Sequence, residues 1–404
     1  MGEEEIMVTK YVKLTDDLKD KYLNMQGYAF IPEKGPDFPD LWKGPDIGEK
    51  KGLISKDELL SVGRLLKTKL SLRNELHPVG GIADIVTMPE NRGKGYFKKF
   101  FYEIFNDLTN QGIYLSLLWP SSYQIYKKLG YQIASKRMIY SLDLKDFLVD
   151  TQNDGDLIPV NANNEKTVLP EVYNQVYTNF NLALIRDNNW WDAFVTKQSK
   201  VSSGKKAYIY AVKFDKYEGY IIFTFKNNAD SKIEIVVREL LYTTNRAYKR
   251  LLNFIAGHNL QADMVTFEGS IDEYFPDNFI HPEAISCKQT LGPAIRIIDT
   301  YTALEKLSYD EKIDDSIILE VCDHFYPKNT GTFQLTIKNG QAVIQKTNDI
   351  PDVSVDIGTL SQMYIGYIDP ISLYNENRLT INNDKLSLLS KMFPKYPIYP
   401  TEYF

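Results

Sequence analysis

Cysteine is almost missing from this chain of 404 residues: Cys287 and Cys322 are the only two, and no Cys-x-x-Cys pair exists. That excludes a fold framed by disulfides and fits a reducing compartment. Histidine is as scarce, and His77, His258, His281 and His324 stand apart without metal-ligand spacing. No metal site is therefore expected, and the cysteines and histidines read as structural. No apolar run approaches the roughly 18 residues that a membrane-crossing helix needs. The start, Met-Gly-Glu-Glu-Glu-Ile, is acidic and holds neither an apolar signal core nor the later Ser or Thr that myristoylation asks for. A soluble, cytoplasmic protein is the expectation. An excess of positive charge is lacking too: the net charge is -6, which does not advertise nucleic-acid binding and makes a cationic substrate electrostatically easier than a polyanion.

What is present is apolar and aromatic. Apolar content of 43% is ample for burial, and 28 Tyr with 20 Phe favour broad packed surfaces and pockets over disorder. The length suits two or three domains. Composition places them at 1–150, 151–290 and 291–404, with a polar linker over Asp150 to Asn164.

One stretch, Gly80 to Trp119, organises the chain. Ile82 to Met88 predicts a buried strand, opened by Gly80-Gly81 and closed by Pro89. Arg92-Gly93-Lys94-Gly95 follows, and then Phe97, Phe101, Ile104 and Leu108 recur at helical spacing on one face. A second strand runs from Ile113 to Trp119. Strand, glycine-bearing turn, helix and strand make a βαβ crossover with parallel strands. A helix N-terminus presents unpaired N–H groups and the positive end of the peptide dipole, and glycines let the backbone close on an anion. Arg92, Lys94, Lys98 and Lys99 crowd that same end, where the dipole disfavours cations unless an anion offsets them. A pyrophosphate would resolve the conflict.

The rest of the first domain reads around this unit. Glu5 to Leu14 suggests a strand, and Asp16 or Asp17 starts a helix to about Gln26. Ile31 to Lys51, broken by Pro32, Pro36, Pro39 and Pro45, is a loop whose carboxylates Glu33, Asp37, Asp40 and Asp46 either meet a cationic acceptor or form a solvated face. Leu53-Ile54, Leu59 to Leu66 and Lys69 to Leu72 suit antiparallel strands, with a helix as the alternative over Leu59 to Leu72. Past Trp119, Ser121 or Ser122 caps a short helix bearing Tyr123, Tyr126 and Leu129, and Gly130 stops it. Arg137 to Leu142 is expected to close the sheet.

Further on, Lys232 to Arg238, Thr244 to Ala256 and Met264 to Phe267 repeat the strand-helix-strand order, but Glu239-Leu240-Leu241-Tyr242-Thr243 fills the turn without a glycine. This second domain echoes the fold without the anion cradle. In the third, Asn339-Gly340 between Thr332 to Ile337 and Ala342 to Gln345 is a strong hairpin signal, and Val353 to Ile357 adds a strand. Ser316 to Phe325 and Lys385 to Phe393 read as helices, giving an α+β domain. The end, Tyr396 to Phe404, is aromatic to the last residue; such a terminus favours burial, which would carry the Phe404 carboxylate inside.

The Arg92 to Phe97 turn resembles motif A of the GNAT superfamily of N-acetyltransferases: Arg or Gln, two residues, Gly, one residue, then Gly or Ala. Arg92 and Gly95 match, and Phe97 departs from the small last residue. That departure is similar to the Eis-type (enhanced intracellular survival) acetyltransferases. Gly80-Gly81-Ile82-Ala83, Pro89-Glu90, Ile125-Tyr126-Lys127-Lys128-Leu129-Gly130-Tyr131, the chain length and the ending in Phe404 also agree. The resemblance implies an α/β (α+β) fold of tandem GNAT-like mixed-sheet domains followed by a sterol-carrier-like domain. It implies acetyl-CoA as co-substrate, a small-molecule or peptide amine as acceptor (aminoglycoside-like or lysine-type), and a homo-hexamer.

By position, the resemblance implies that Ile85, Val86 and Thr87 pair by backbone with the pantetheine arm. Arg92, Gly93, Lys94, Gly95, Tyr96, Phe97 and Lys98 would surround the pyrophosphate, with Ser121 and Ser122 at the thiol end. Acetyl transfer from a thioester to an amine needs an acid to meet the departing thiolate and a base to take the ammonium proton. Tyr126 is the candidate acid, because a Tyr hydroxyl with a reference pKa of about 10 suits a thiolate of similar basicity. No His or Glu stands out as base, and the resemblance assigns that role to the Phe404 carboxylate, with Glu402 a competitor. The expected activity is direct attack of the amine on the thioester. The alternative is a CoA-, acyl- or lipid-binding module without turnover.

Overall fold

Alternating and continuous apolar runs between Lys10 and Thr87 form four antiparallel strands: β1 (Lys10–Lys13), β2 (Glu49–Ser55), β3 (Glu58–Leu72) and β4 (Glu75–Thr87). They belong to a computed structural model that describes residues 8–30, 48–56, 58–147, 154–161, 163–192, 207–227, 232–270 and 280–402. Packing divides the chain into two units. One holds the described residues within 1–134, 293–396 and 402–404, the other those within 135–292 and 397–401.

In the first unit, β3 is one continuous strand, which overturns the helical alternative over Leu59 to Leu72. It turns into β4 through Arg73-Asn74, both with positive φ (51° and 64°), as a two-residue hairpin requires. Gly80 and Gly81 lie inside β4 instead of opening it. A Cβ on Gly80 would come within 2.4 Å of the Leu108 side chain, so the glycine is there to let a helix approach the sheet. That helix, α2 (Tyr96–Thr109), buries Phe100, Phe101, Ile104, Phe105 and Leu108; α1 (Lys19–Phe30) precedes it in the chain. After α2 comes β5 (Leu115–Leu118), parallel to β4 from Val79↔Leu115 to Ile82↔Leu118, so the βαβ crossover is present. Then follow α3 (Tyr123–Lys127) and β6 (Gln132–Ile133).

Arg137 to Leu142 is a strand, β7 (Lys136–Asp143), but it pairs in the second unit's sheet and does not close the first. The first sheet is completed by β14 (Ala294–Ile297), inserted antiparallel between β5 and β6, in the order β1-β2-β3-β4-β5-β14-β6. Local pattern marks a strand without naming its partner.

The second unit orders its sheet as β13 (Ser286–Leu291), β7, β12 (Met264–Ser270), β11 (Ile233–Tyr242), β10 (Tyr217–Asn227), β9 (Tyr208–Lys213) and β8 (Asp156–Pro159), with α4 (Glu165–Val176) also in the unit. Strand β8 falls inside the stretch read as a linker: Leu157 and Ile158 suffice for a short edge strand on β9. β11 and β12 are parallel and joined by α5 (Asn245–Ala256), repeating the βαβ order.

A five-stranded sheet belongs to the first unit, in the order β17 (Gln341–Lys346), β16 (Gly331–Lys338), β15 (Asp315–Cys322), β18 (Val353–Asp356), β19 (Leu379–Ile381). Helices α6 (Thr300–Lys306), α7 (Ile357–Tyr364), α8 (Pro370–Asn375) and α9 (Leu386–Met392) accompany it. The helix expected over Ser316 to Phe325 is instead the central strand β15, with Ile317, Leu319 and Val321 buried at a period of two. Asn339 and Gly340 make the expected hairpin, both with positive φ. Ser361 and Gln362 of α7 bind the first sheet, accepting from Ile297 N at 2.9 Å and donating to Ile133 O at 2.6 Å.

Candidate active site

A break in the pairing of β4 creates the cleft. On the β3 side, Val62 faces Val86 and Arg64 faces Ala83, so Gly63 stands opposite both Asp84 and Ile85: a bulge. Asp84 adopts φ 56°, and its carboxylate accepts from Arg64 Nε at 2.7 Å while its carbonyl accepts from Gln26 Nε2 at 2.8 Å. A Cβ on Gly63 would sit 2.3 Å from Ile85 Cδ1, so this position must be glycine for Ile85 to keep its place. On the β5 side, pairing ends at Ile82↔Leu118. Beyond it the two parallel strands part, and Ile85, Val86 and Thr87 line the resulting cleft of about 480 Å³ together with Ser121, Ile125 and Tyr126 across it.

The glycine turn closes one end of this cleft. Gly93 and Gly95 both have positive φ (74° and 82°), and open space lies where their Cβ atoms would be. Gly95 is the N-cap of α2 and no side chain caps that helix, so the first N–H groups of Tyr96, Phe97 and Lys98 point outward without intrahelical acceptors. Arg92 is anchored by Nε to Thr87 O at 3.0 Å, which leaves its terminal guanidinium nitrogens to face a ligand. Among the described residues, Arg92, Lys94, Lys98 and Lys99 enter no ion pair. Orphan donors, the Arg92 guanidinium and an open glycine cradle fit a pyrophosphate.

Arg92, Gly93, Gly95, Tyr96, Phe97, Ser121 and Tyr126 line the cleft with Ile85, Val86 and Thr87; Lys94 is exposed beside it. Lys98 lines a smaller adjoining groove with Phe97, Gln124 and Lys128. Ser122 does not line the cleft: it is the N-cap residue of α3, and its carbonyl accepts from Ile125 N. Tyr126 is 8% exposed and packs against Phe97, Phe101 and Tyr131 at ring separations of 6.0, 5.9 and 6.3 Å. Phe97 therefore fills the place where a small residue would leave Tyr126 unsupported. Burial pushes the Tyr126 hydroxyl above its ordinary pKa, and a hydrogen bond with Ser121 pulls it partly back.

No carboxylate or imidazole lines the cleft among the described residues. Phe404 and most of the Ile31 to Lys51 loop, including Glu33, Asp37, Asp40 and Asp46, lie outside the described residues. Glu402 is buried, and its carbonyl accepts from Trp119 Nε1 at 2.9 Å, at the end of β5. His77 stands apart from the cleft: it is buried, its Nδ1 is 2.7 Å from Tyr114 Oη, and burial pushes its pKa down to about 4. Cys322 lies 3.5 Å from His324 Nε2, also away from the cleft. Among the described residues no three His, Cys, Asp or Glu side chains gather as metal ligands would.

The second unit shows what the same βαβ order does without glycines. A cleft of about 660 Å³ lies at the end of β11 and the start of α5, walled by Tyr140, Tyr242, Tyr248 and Phe267. The start of α5 carries its own anion. Glu218, 3% exposed, accepts from Thr244 Oγ1 at 2.6 Å and from Arg246 Nε at 2.8 Å, and Arg246 holds its carboxyl below the usual carboxylate range. The start of α5 is thus capped by Thr244, which accepts from Ala247 N, and has a carboxylate beside it, whereas the start of α2 has no side-chain cap. Sequence reasoning missed the pair of Glu218 and Arg246, as it missed Asp84, Arg64 and Gln26. The lone glycine Gly63 within a β-rich run was the only signal for the bulge.

Comparison with known proteins agrees with this geometry. Residues 10–134 and 182–297 each match an acetyltransferase (GNAT) domain, and residues 300–399 match a sterol carrier protein domain. The chain is 22% identical over 331 residues to an "uncharacterized N-acetyltransferase" of Streptomyces avermitilis, covering 77% of this chain and 78% of the relative. It is 21% identical over 374 residues to N-acetyltransferase Eis of Mycobacterium tuberculosis, covering 89% and 90%. The fold is shared with a GCN5-related N-acetyltransferase from Anabaena variabilis at a TM-score of 0.88 and 22% identity, over 98% of this chain and 100% of that one. With two GNAT acetyltransferase domains followed by a sterol-carrier domain, and a phosphate-ready turn in the first, the chain belongs to the GNAT superfamily of N-acetyltransferases and has Eis enzymes among its homologues.

Proposed function

We propose that this N-acetyltransferase transfers acetyl from acetyl-CoA to a primary amine, aminoglycoside-like or of lysine type, by direct attack on the thioester. The observation that carries the reading is that one cleft joins the glycine turn at the start of α2 to Tyr126 on α3. Acetyl-CoA supplies the acetyl group activated as a thioester. The freed backbone of Ile85, Val86 and Thr87 takes the pantetheine arm as an added strand, and Gly93 to Lys98, with Arg92, take the pyrophosphate. Ser121 flanks the thiol end, while Ser122, outside the cleft, starts α3.

As the amine nitrogen forms its bond to the thioester carbonyl carbon and the carbon–sulfur bond breaks, the Tyr126 hydroxyl gives its proton to the departing sulfur. The ammonium proton passes to a base. The resemblance to the Eis-type enzymes assigns the base to the Phe404 carboxylate, which lies outside the described residues. In this reading the segments 1–150, 151–290 and 291–404 act as catalytic domain, degenerate GNAT domain and sterol-carrier-like domain of a cytoplasmic homo-oligomer.

The test is release of free thiol from acetyl-CoA against a panel of cationic amines. Tyr126→Phe should lower kcat by about 100-fold or more, the usual contribution of a positioned acid, with acetyl-CoA affinity held. A chain extended past Phe404 should bind CoA and turn over poorly. Normal turnover of the extended chain removes the terminal carboxylate as base, and full activity of Tyr126→Phe removes the acid.

A further inference from the structure

Beneath Tyr126 lies a buried cation that belongs to neither the cofactor cradle nor the acid. Arg296, on the inserted strand β14, has a side chain wholly removed from solvent, as has its partner Asp323. One guanidinium nitrogen donates to the carbonyl of Leu129 and another to Asp323 Oδ2. The planar group is sandwiched by aromatic rings, with its central carbon 4.7 Å from the Phe105 centroid and 5.6 Å from that of Phe325. Asp323 is itself pinned, accepting from Phe325 N at 3.1 Å, Tyr326 N at 2.9 Å and Asn329 Nδ2 at 3.2 Å.

Leu129 is the point at which this chain of contacts reaches the site. Its N–H donates to the Tyr126 carbonyl at 2.9 Å, and Tyr131 N donates to the same oxygen at 3.2 Å. Gly130 between them has φ 82°, and a Cβ there would lie 2.4 Å from Arg296 Nη1, so the turn closes directly on the guanidinium. Helix α3 has only five residues and no side-chain N-cap bond, too short to hold its own geometry. A buried ion pair is a poor source of stability compared with apolar packing, because desolvating both charges costs about what their attraction returns. A planar guanidinium that spans two acceptors, one of them a pinned carboxylate, is, however, a good ruler.

We propose that Arg296, held by Asp323, is a positioning residue that sets where the Tyr126 hydroxyl stands in the cleft. The role rests on Tyr126 being the acid and acts only through it. A lysine at 296 carries the charge but cannot span Leu129 and Asp323 with one planar fork, so α3 loses its anchor while the glycine turn, on another element, does not.

The experiment is a double-mutant cycle. Arg296→Lys and Asp323→Asn are each made in the wild-type and the Tyr126→Phe chains, and kcat, acetyl-CoA affinity by calorimetry and the unfolding midpoint are measured. Arg296→Lys should lower kcat about tenfold with acetyl-CoA affinity within about twofold, and should change kcat less than about twofold once Tyr126 is Phe. Asp323→Asn, which keeps one acceptor oxygen for the Phe325 and Tyr326 N–H groups but turns an amide NH2 toward Arg296, should show the same non-additivity, and serves if Arg296→Lys does not fold. Equal fold losses in both backgrounds, or affinity falling in step with kcat, overturn the positioning role while leaving the acid intact. Full activity of Tyr126→Phe alone overturns the acid assignment, and this role with it.

Discussion

Replacing Asp84 tests whether the bulge in β4 makes the cofactor cleft. The residue sits at φ 56°, where Asp is tolerated and Ala costs about 1 kcal/mol. Its carboxylate receives Arg64 Nε at 2.7 Å, with side chains 35% and 18% exposed. Solvent screening at that exposure reduces the ion pair to about 1 kcal/mol. Asp84→Ala should therefore lose about 2 kcal/mol in urea unfolding, the sum of the two. Asp84→Gly removes the backbone strain and should lose about 1 kcal/mol, while Asp84→Asn keeps both the φ preference and an acceptor and should lose less.

Binding separates these variants further. When the bulge relaxes, Ile85 and Val86 slip toward a regular register against β3, and the backbone groups they offer to the cleft rotate away. Two weakened hydrogen bonds of roughly 1 kcal/mol each amount to about a tenfold or larger loss of CoA affinity for Asp84→Ala. Calorimetric titration of CoA reads this directly, with Asp84→Asn as the control that keeps affinity. An Asp84→Ala chain that is destabilised as expected yet binds CoA unchanged would refute the link between bulge and cleft.

Three further outcomes are expected. Gly95→Glu combines a side chain at φ 82° with a carboxylate in the phosphate cradle, and CoA affinity should fall by at least about 100-fold in the same titration. His77 is neutral in the folded chain, its pKa pushed down to about 4 from an ordinary 6.5. The unfolded chain then binds the extra proton as pH falls below 6.5, so this contribution is whole above 6.5 and lost down to about 4. Between pH 7.5 and 5 it amounts to about 2 kcal/mol, and urea unfolding of His77→Phe should lack that part of the decline. For Tyr126, burial raises the pKa, so the acid stays protonated through ordinary alkaline buffers. The pH profile of kcat should show no loss from this group below pH 10, and an alkaline limb well under that value would contradict the assignment.

The βαβ unit, its glycine turn and the Tyr126 helix were legible because their physics is local. A helical stripe of Phe101, Ile104 and Leu108, a Pro-closed strand, and cations gathered at a helix start all declare themselves within a few turns of chain. The Asn339-Gly340 hairpin is of the same kind. Ser316 to Phe325 misled because a short apolar run with two charged residues, Glu320 and Asp323, fits both periods, and burial on β16 and β18 decided for strand.

What the amino-acid order determined by itself is the cofactor end of the site: the phosphate-binding turn, the apolar helix behind it, and the absence of that turn from the second GNAT domain. Only the tertiary structure decided that β14 completes the first sheet, that β7 does not, that Asp84 is bulged, and that Arg296 and Asp323 lie under Tyr126. Glu218 at the start of α5 is of the same class. Each is a pairing across many residues, set by which buried polar groups find partners and which backbone edges are satisfied. Those conditions are met only when distant segments come together, so no window of sequence contains them.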